Sequence, residues 1–261
     1  MQYPNINQYK QAVQEPASFA SLNHDLQPVM NGFEPVLASG NFAVVFKMQQ
    51  NGKTHALKCF TKNIDGRAER QKKIVEYIKQ NPSKHFVDYH YLENELWIDE
   101  GEGFEVPVTW MEWVEAPTMG EKIKLYCDAN DRDGLKDLAG SFRELALWLL
   151  DQPFAHGDLK HDNLLVKEDG TLVMVDYDGM FIPAFEGQEA YELGSKDYQH
   201  PKRTADFFNI NLDDFSILVI YTSLLVLNEN PELYEQYHNG QNIILDNAAF
   251  IGPENSPLFI K

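Results

Sequence analysis

A run of 13 residues, Phe215 to Leu227, contains only apolar side chains apart from Tyr, Thr and Ser. A membrane-spanning helix needs about 20 consecutive apolar residues, so this run is too short to cross a bilayer. Because it carries no charge, we expect it to form a buried helix in the core of a domain. The start of the chain, MQYPNINQYKQAVQ, has no apolar stretch of the kind found in secretory signals. The sequence therefore predicts a cytoplasmic protein with no membrane partner.

Length and charge limit the function further. The chain has 261 residues, of which 43% are hydrophobic, enough for one large domain or two small lobes with a real core. Its 40 acidic residues outnumber its 22 basic residues, which gives a net charge of -18. Because such a surface repels phosphate backbones, we expect no nucleic-acid partner. A nucleotide is not excluded, since one phosphate pocket needs only a few local cations or a divalent metal.

The order of the predicted elements indicates an α+β fold in three parts. Residues 1–30 are expected to form a polar, helical lead-in, residues 31–115 a small β lobe, and residues 116–261 a larger, mainly helical lobe. Within the small lobe, alternating and turn-rich patterns predict antiparallel strands and one helix. The predicted turns are at residues 39–41, 51–52 and 101–103, and the predicted helix covers residues 67–80.

In the larger lobe, two predicted elements enclose a polar loop. Apolar residues at helical spacing predict a helix from Leu135 to Leu150. Further along, LLV and TLVMV predict two short strands joined by a turn at residues 168–170. The loop HGDLKHDN, His156 to Asn163, lies between the helix and the first strand.

This loop and the residues after the second strand carry oxygen ligands. The predicted hairpin brings Asn163 and Asp176 to neighbouring strand ends, with Asp158 facing them across a short loop. An amide oxygen and a carboxylate suit Mg²⁺, and a third carboxylate could accept a proton from an attacking hydroxyl. The alternative is an ordinary polar turn, since Asp, Asn and Gly are frequent turn residues. We expect His156 to be a buried structural histidine and His161 to be exposed.

HGDLKHDN resembles the HRDxKxxN catalytic loop of eukaryotic-type Ser/Thr protein kinases, and VDYDG resembles the strand and DFG motif that follow it. The spacing agrees, since Asn163 comes 5 positions after Asp158 and Asp176 comes 13 positions after Asn163. The resemblance implies a two-lobe protein kinase-like fold that uses ATP and Mg²⁺ to phosphorylate a protein substrate. It implies a catalytic base, a cation that neutralises the γ-phosphoryl group, and two metal ligands. These are Asp158, Lys160, and the pair Asn163 and Asp176.

Motifs in the first half match in the same order. LASGNFAVVF resembles the glycine-rich loop, with Gly40 as the central glycine and Val45 over the nucleotide base. HALK resembles the VAIK motif, which implies that Lys58 holds the α- and β-phosphates. The helix that follows should supply a glutamate to pair with this lysine, and Glu69 is favoured over Glu76.

Two further segments complete the resemblance. MEWVEAP is similar to the hinge, with Met111 as gatekeeper and backbone groups of Glu112 and Val114 offered to adenine. GSKDYQHPKR is similar to the GTPEYxAPE end of the activation segment. LDDFSIL resembles the DxWSxG start of the central helix, which implies that Asp213 braces the catalytic loop. HGDL, VDYDGMFIPAF, YQHP and DDFS together look like a bacterial kinase-like family of uncertain substrate.

One departure from the kinase pattern concerns regulation. Gly157 replaces the Arg that grips an activation-loop phosphate in regulated kinases. Between Asp178 and Pro201, the activation segment that the resemblance implies contains only one serine, Ser195, and no threonine. We therefore expect activity that does not depend on phosphorylation of Ser195, Tyr191 or Tyr198.

Other departures keep two alternative functions open. Ala38 and Ala43 replace the outer glycines of the loop, and Asp178 stands where DFG has its glycine, as in a nucleotide-binding pseudokinase that serves as a binding or regulatory module. HGD also resembles the small-molecule kinases of the aminoglycoside and choline type, although Lys160 is the lysine of Ser/Thr kinases. Lys202 stands where the Glu of APE belongs, which leaves the substrate class open.

Overall fold

The computed structural model describes residues 3–22, 25–40 and 42–260. It is an α+β structure in which the strands pair antiparallel, as the sequence predicts. The chain divides into two compact units, Met1–Pro82 with Val87–Val114, and Ser83–Phe86 with Glu115–Lys261. The main division, between Val114 and Glu115, lies next to the lobe boundary drawn from the sequence.

The first unit is built on a six-stranded antiparallel sheet. In chain order its elements are α1 (Ile6–Ala12), β1 (Gln27–Pro28), β2 (Met30–Asn31), β3 (Glu34–Pro35), β4 (Leu37–Ser39), β5 (Ala43–Gln50), β6 (Lys53–Phe60), α2 (Arg67–Gln80), β7 (Tyr89–Ile98) and β8 (Phe104–Glu112). The strands of the sheet follow the order β1-β5-β6-β8-β7, and β4 also pairs with β5, while β2 and β3 form a separate ribbon.

Local sequence signals set the hairpins of this sheet. Asn51 and Gly52 both have positive φ, 51° and 76°, which is the backbone of a tight hairpin turn that matches the strand twist. The predicted turn between β5 and β6 is therefore confirmed, as are the hairpin between β7 and β8 and the helix α2. The turn predicted at residues 39–41 joins β4 to β5, but Asn41 lies outside the described residues.

The lead-in expected over residues 1–30 packs into the core of the small sheet. Tyr9 and Val13 are fully buried there, and the Tyr9 hydroxyl donates to the Phe60 carbonyl oxygen at 2.5 Å. The polar composition of this stretch concealed its buried residues, which recur at helical spacing on α1. The lead-in also contributes Ala12, Phe19 and Leu26, and one face of the sheet supplies the other buried residues of this core: Val44, Phe46, Met48, Leu57, Cys59, Leu96, Ile98, Val106, Val108 and Trp110.

A buried carboxylate fixes the lead-in to the sheet. Glu95 lies in β7 beside an irregularity in the pairing with β8, and only 2% of its surface is exposed. Its two oxygens accept hydrogen bonds from the Ser21 amide at 3.0 and 3.1 Å, the Ser21 hydroxyl at 2.5 Å and the Leu22 amide at 2.8 Å. These donors compensate for the cost of removing the charge from water.

The second unit is mainly helical and contains one short hairpin. Its elements are α3 (Met119–Asp128), α4 (Arg132–Leu150), β9 (Leu164–Val166), β10 (Leu172–Met174), α5 (Asp214–Glu229), α6 (Leu233–Tyr237), α7 (Asn247–Ile251) and α8 (Pro257–Ile260).

Helix caps explain two differences from the sequence prediction. The helix α3 was not predicted, although Thr118 and Glu121 form a reciprocal capping box at its start, a signal readable from sequence. The helix α4 begins at Arg132 rather than Leu135, because the Asp131 side chain accepts a hydrogen bond from the Gly134 amide and starts the helix earlier.

The apolar run of the sequence forms α5, as predicted, but only part of its surface is buried. Val219, Ile220 and Leu224 lie in the core, whereas Leu218 and Leu225 are 62% and 46% exposed. The expectation of an all-round buried helix is therefore wrong for one face, which the helical periodicity turns away from α4. Within the described residues, no helix combines the length and apolar character that a membrane crossing requires.

Replacing Glu95 by Ala should destabilise the first unit by about 2–3 kcal/mol, because the amides of Ser21 and Leu22 lose a charged acceptor. Urea unfolding followed by circular dichroism measures the change. The matched control is Glu93→Ala on the same strand, where a half-exposed ion pair with Lys72 is lost. That change should cost less than about 1 kcal/mol. Equal losses in the two variants would contradict this account of Glu95.

Candidate functional site

A buried carboxylate holds the polar loop in place. Asp213, directly before α5, accepts hydrogen bonds from the His156 amide at 2.5 Å and the Gly157 amide at 2.9 Å. The predicted brace is confirmed. Burial raises the pKa of Asp213, and the loop amides and the His156 and Arg203 side chains oppose that rise.

The loop brings three predicted site residues into contact. Lys160 Nζ lies 3.5 Å from Asp158 Oδ2. The Asn163 side-chain amide donates to the Asp158 carbonyl oxygen at 2.8 Å and to Asp158 Oδ2 at 3.3 Å. A fourth residue joins them, since the Ser195 amide donates to Asp158 Oδ1 at 2.6 Å and Lys160 Nζ donates to Ser195 Oγ at 3.1 Å. The result is a carboxylate of fixed orientation beside a cation.

The hairpin of β9 and β10 places the fourth predicted residue, Asp176, near Asn163. Strand register pairs Leu164 with Met174, and the Val175 amide donates to the Asn163 carbonyl oxygen at 3.0 Å. Asp176 is the next residue, exposed, with φ of +68°. Non-glycine residues rarely adopt this conformation, and such strain is found at functional sites more often than elsewhere.

The donor set at this hairpin end fits Mg²⁺. Because the Asn163 side-chain nitrogen is used within the loop, its amide oxygen is the atom left for a cation, and Asp176 adds a carboxylate. Mg²⁺ is commonly held by one or two such oxygens together with waters and substrate phosphates. Among the described residues, no group of three or more His, Cys, Asp or Glu could hold a metal ion. The two donors named here, an amide oxygen and a carboxylate, are hard oxygen ligands of the kind that suits Mg²⁺.

The two loop histidines have structural positions. His156 is buried, as expected, and its Nε2 donates to the Val175 carbonyl oxygen at 2.9 Å. His161 was expected to be exposed, and this is wrong, since it is buried and its Nδ1 lies 2.5 Å from the Tyr198 hydroxyl. Burial lowers the pKa of His161 to about 4 and raises the pKa of Tyr198, so the phenol donates to a neutral imidazole. The contact that buries His161 comes from 37 residues along the chain, which no local pattern indicates.

In the first unit, three predicted nucleotide-binding residues share one face of the sheet. Val45 is directly opposite Lys58, which is opposite Thr109, and Met111 follows Thr109 by two positions. Directly paired residues, and residues two apart, point to the same side of a sheet. Lys58 is therefore on the face opposite Leu57 and Cys59, which belong to the hydrophobic core.

The other residues predicted from the glycine-rich loop and hinge lie at the ends of these strands. Gly40 is exposed after β4, and its amide donates to the Ala43 carbonyl oxygen at 2.9 Å. Glu112 ends β8, and its amide is already used within the unit, because it donates to the Asp88 carbonyl oxygen at 3.3 Å. Val114 is partly buried just beyond the strand.

The helix α2 does not turn either predicted glutamate toward the sheet. Glu69 and Glu76 are both exposed, and within the described structure no ion pair joins Glu69 to Lys58. The buried face of α2 instead carries Arg70 and Gln71, and the Gln71 side-chain oxygen accepts a hydrogen bond from Tyr89 at 2.6 Å. The sequence prediction looked for a glutamate on this helix and therefore did not place Arg70 and Gln71 on its buried face, although both lie at helical spacing from Ile74.

Neither a protein-family model nor a curated protein matches this chain. The geometry of the loop and the sheet face therefore carries the functional argument.

We expect Gly157→Ala to destabilise the second unit by at least about 2 kcal/mol, since Gly157 has φ of +81° and an added Cβ would lie 2.0 Å from the Gly179 carbonyl oxygen. Thermal unfolding measures the loss. Gly179→Ala is the matched control, because its Cβ would meet nothing closer than 3.5 Å. A stable Gly157→Ala protein would show that the two backbones do not approach as described.

Proposed function

We propose that this protein is an ATP- and Mg²⁺-dependent phosphotransferase of the Ser/Thr protein kinase type, with a two-lobe kinase-like fold. It transfers the γ-phosphoryl group of ATP to a protein hydroxyl. The observation that carries the proposal is the loop cluster. Asp158, Lys160 and Asn163 lie within hydrogen-bond or ion-pair distance of one another, and Asp213 fixes the loop from the core.

Each loop residue has a definite chemical part. Asp158 accepts the proton of the substrate hydroxyl as its oxygen forms a bond to the γ-phosphorus and the bond to ADP breaks. Lys160 neutralises charge on the transferring phosphoryl group. Its ion pair with Asp158 also keeps the carboxylate oriented before substrate binds.

Asn163 and Asp176 are the residues that would hold Mg²⁺. The metal supplies charge neutralisation for the nucleotide phosphates and the leaving group. The Asn163 amide also donates to Asp158, so one side chain fixes the orientation of both the base and the metal ligand set.

The sheet face of the first unit supplies the nucleotide-binding residues. Val45 and Met111 offer apolar surface to the base, and Lys58 offers a cation to the α- and β-phosphates. Gly40 contributes the turn over the phosphates, and backbone groups of Glu112 and Val114 contribute to adenine recognition. Glu69, the glutamate expected to pair with Lys58, is exposed on α2.

Two of the three hydroxyls named above, those of Tyr198 and Ser195, support independence from activation-segment phosphorylation, whereas Tyr191 is 47% exposed. Tyr198 is fully buried and bonded to His161, which makes it inaccessible to a kinase. Ser195 Oγ accepts a hydrogen bond from Lys160 without any added group.

The test incubates the protein with Mg²⁺, γ-labelled ATP and generic protein substrates. We expect transfer by the wild type and a decrease in kcat of about 10²- to 10⁴-fold in Asp158→Asn, because the proton acceptor is lost. In Asp176→Asn, thermal stabilisation by ATP should lose its dependence on Mg²⁺. Asp162→Asn, a half-exposed acid in the same loop, is the matched control and should retain wild-type kcat.

Two outcomes would overturn the proposal. Nucleotide binding without any transfer would identify a pseudokinase that acts as a binding or regulatory module. Transfer to aminoglycosides or choline-like amino alcohols, but not to proteins, would identify a small-molecule kinase.

A further inference from the structure

The catalytic loop cannot carry its own cation at position 157. Gly157 has φ of +81°, and a Cβ there would lie 2.0 Å from the Gly179 carbonyl oxygen. Any side chain at this position would push the loop away from the turn that follows β10. The glycine is therefore required by the close approach of two backbones.

An arginine from a distant segment reaches this glycine. Arg203 donates through Nη1 to the Gly157 carbonyl oxygen at 3.1 Å and to the Gln199 side-chain oxygen. Its Nη2 donates to the Glu192 carbonyl oxygen at 3.4 Å. The Gln199 side chain also donates to the Gly157 carbonyl oxygen, at 3.4 Å. We call residues 192–203 the docked segment. The Arg203 guanidinium, at the end of this segment, contacts both the loop and Glu192 at the start of the segment.

The charge of Arg203 is compensated from the loop side. Burial lowers the pKa of Arg203, while the carboxylates of Asp213 and Asp158 oppose this effect. Its Nε is buried without a hydrogen-bond partner among the described residues, so the terminal nitrogens hold the group in place. A cation held by these acceptors needs no phosphate to keep it there.

We propose that Arg203 is a positioning residue that fastens the docked segment to the catalytic loop and thereby keeps Asp158 oriented in the unphosphorylated protein. The inference rests on the proposed function and goes beyond it, because it assigns the cause of phosphate-independent activity to one side chain. Arg203 supplies from the segment the charge that regulated kinases carry in the loop at the position of Gly157.

The route from Arg203 to Asp158 is short. The docked segment contains Ser195, whose amide donates to Asp158 Oδ1 at 2.6 Å and whose hydroxyl accepts from Lys160. It also contains Tyr198, whose hydroxyl donates a hydrogen bond to His161 Nδ1. If the segment leaves the loop, Asp158 loses its shortest hydrogen bond and Lys160 loses its hydrogen bond to Ser195 Oγ. Arg203 acts at the carboxyl end of the segment, where it closes this set of contacts.

Hydrogen exchange of the full chain tests the docking directly. In Arg203→Met, amides of the docked segment, including that of Ser195, should exchange about ten- to hundredfold faster, since hydrogen bonds to a charged group are lost. Amides of α5 should exchange as in the wild type. Lys202→Met removes the exposed neighbouring cation and should leave the segment protected. Unchanged exchange in Arg203→Met would overturn the proposal.

Phosphotransfer tests the consequence for Asp158. We expect kcat to decrease at least about tenfold in Arg203→Met while KM for ATP stays constant, because orientation of the base is lost rather than nucleotide binding. In Arg203→Ala, added methylguanidinium should restore part of kcat. A decrease no larger than that of Lys202→Met, or no rescue, would overturn the proposal.

Two further cases are covered, one in which Arg203→Met does not fold and one in which the wild type transfers no phosphate. If Arg203→Met does not fold, Arg203→Lys replaces it, and faster exchange in the docked segment is expected because lysine cannot bridge the same acceptors. Wild-type exchange in Arg203→Lys would then count against the proposal. If the wild type transfers no phosphate, the proposed function fails, while hydrogen exchange still decides whether Arg203 fastens the segment.

Discussion

The rest of the second unit depends on one contact. In it, the Asp213 carboxylate accepts hydrogen bonds from two backbone amides of the loop. A buried charge is costly unless hydrogen bonds compensate for it, and His156 and Gly157 supply two of them. The loop cannot shift without leaving that charge unsatisfied. Because Asp213 directly precedes α5, the packing of that helix in the core fixes the position of Asp213. Through its hydrogen bonds, Asp213 in turn fixes the loop that carries Asp158. A core interaction thus determines where a polar loop lies, which its own turn residues could not do.

The same contact explains why the loop reads HGD. With its amide turned toward Asp213, Gly157 adopts a positive φ and approaches the Gly179 carbonyl oxygen too closely for any side chain. An arginine at this position would break the approach between the loop and the turn that carries Asp176. A cation comes instead from Arg203, which donates to the Gly157 carbonyl oxygen at 3.1 Å. One backbone conformation therefore excludes a side chain at position 157 and accompanies the contact between the Gly157 carbonyl oxygen and Arg203.

What the sequence predicted well was local. The helix α2, the Asn51–Gly52 hairpin and the hairpin that aligns Asn163 with Asp176 depend on periodicity and turn residues within a few positions. The sequence predicted poorly whatever depends on distant contacts. Arg203 lies 46 positions from Gly157, and no local pattern links the two. His161 was assigned to the surface for the same reason, since the tyrosine that buries it is far along the chain. On α2, Glu69 is exposed and the helix buries Arg70 and Gln71 instead, two polar residues that the search for a glutamate did not consider.

The contacts between the loop and the docked segment also indicate what a phosphate would do there. In regulated kinases an added phosphate attracts a loop arginine and orders the segment. Here that attraction already exists between Arg203 and backbone carbonyls. A phosphate on Ser195 would instead lie beside the Asp158 carboxylate, since the Ser195 amide is bonded to it at 2.6 Å. The two negative groups would repel each other, and Lys160 would be drawn from Asp158 to the phosphate. In this arrangement phosphorylation of Ser195 would oppose the proposed activity, the reverse of its effect in regulated kinases.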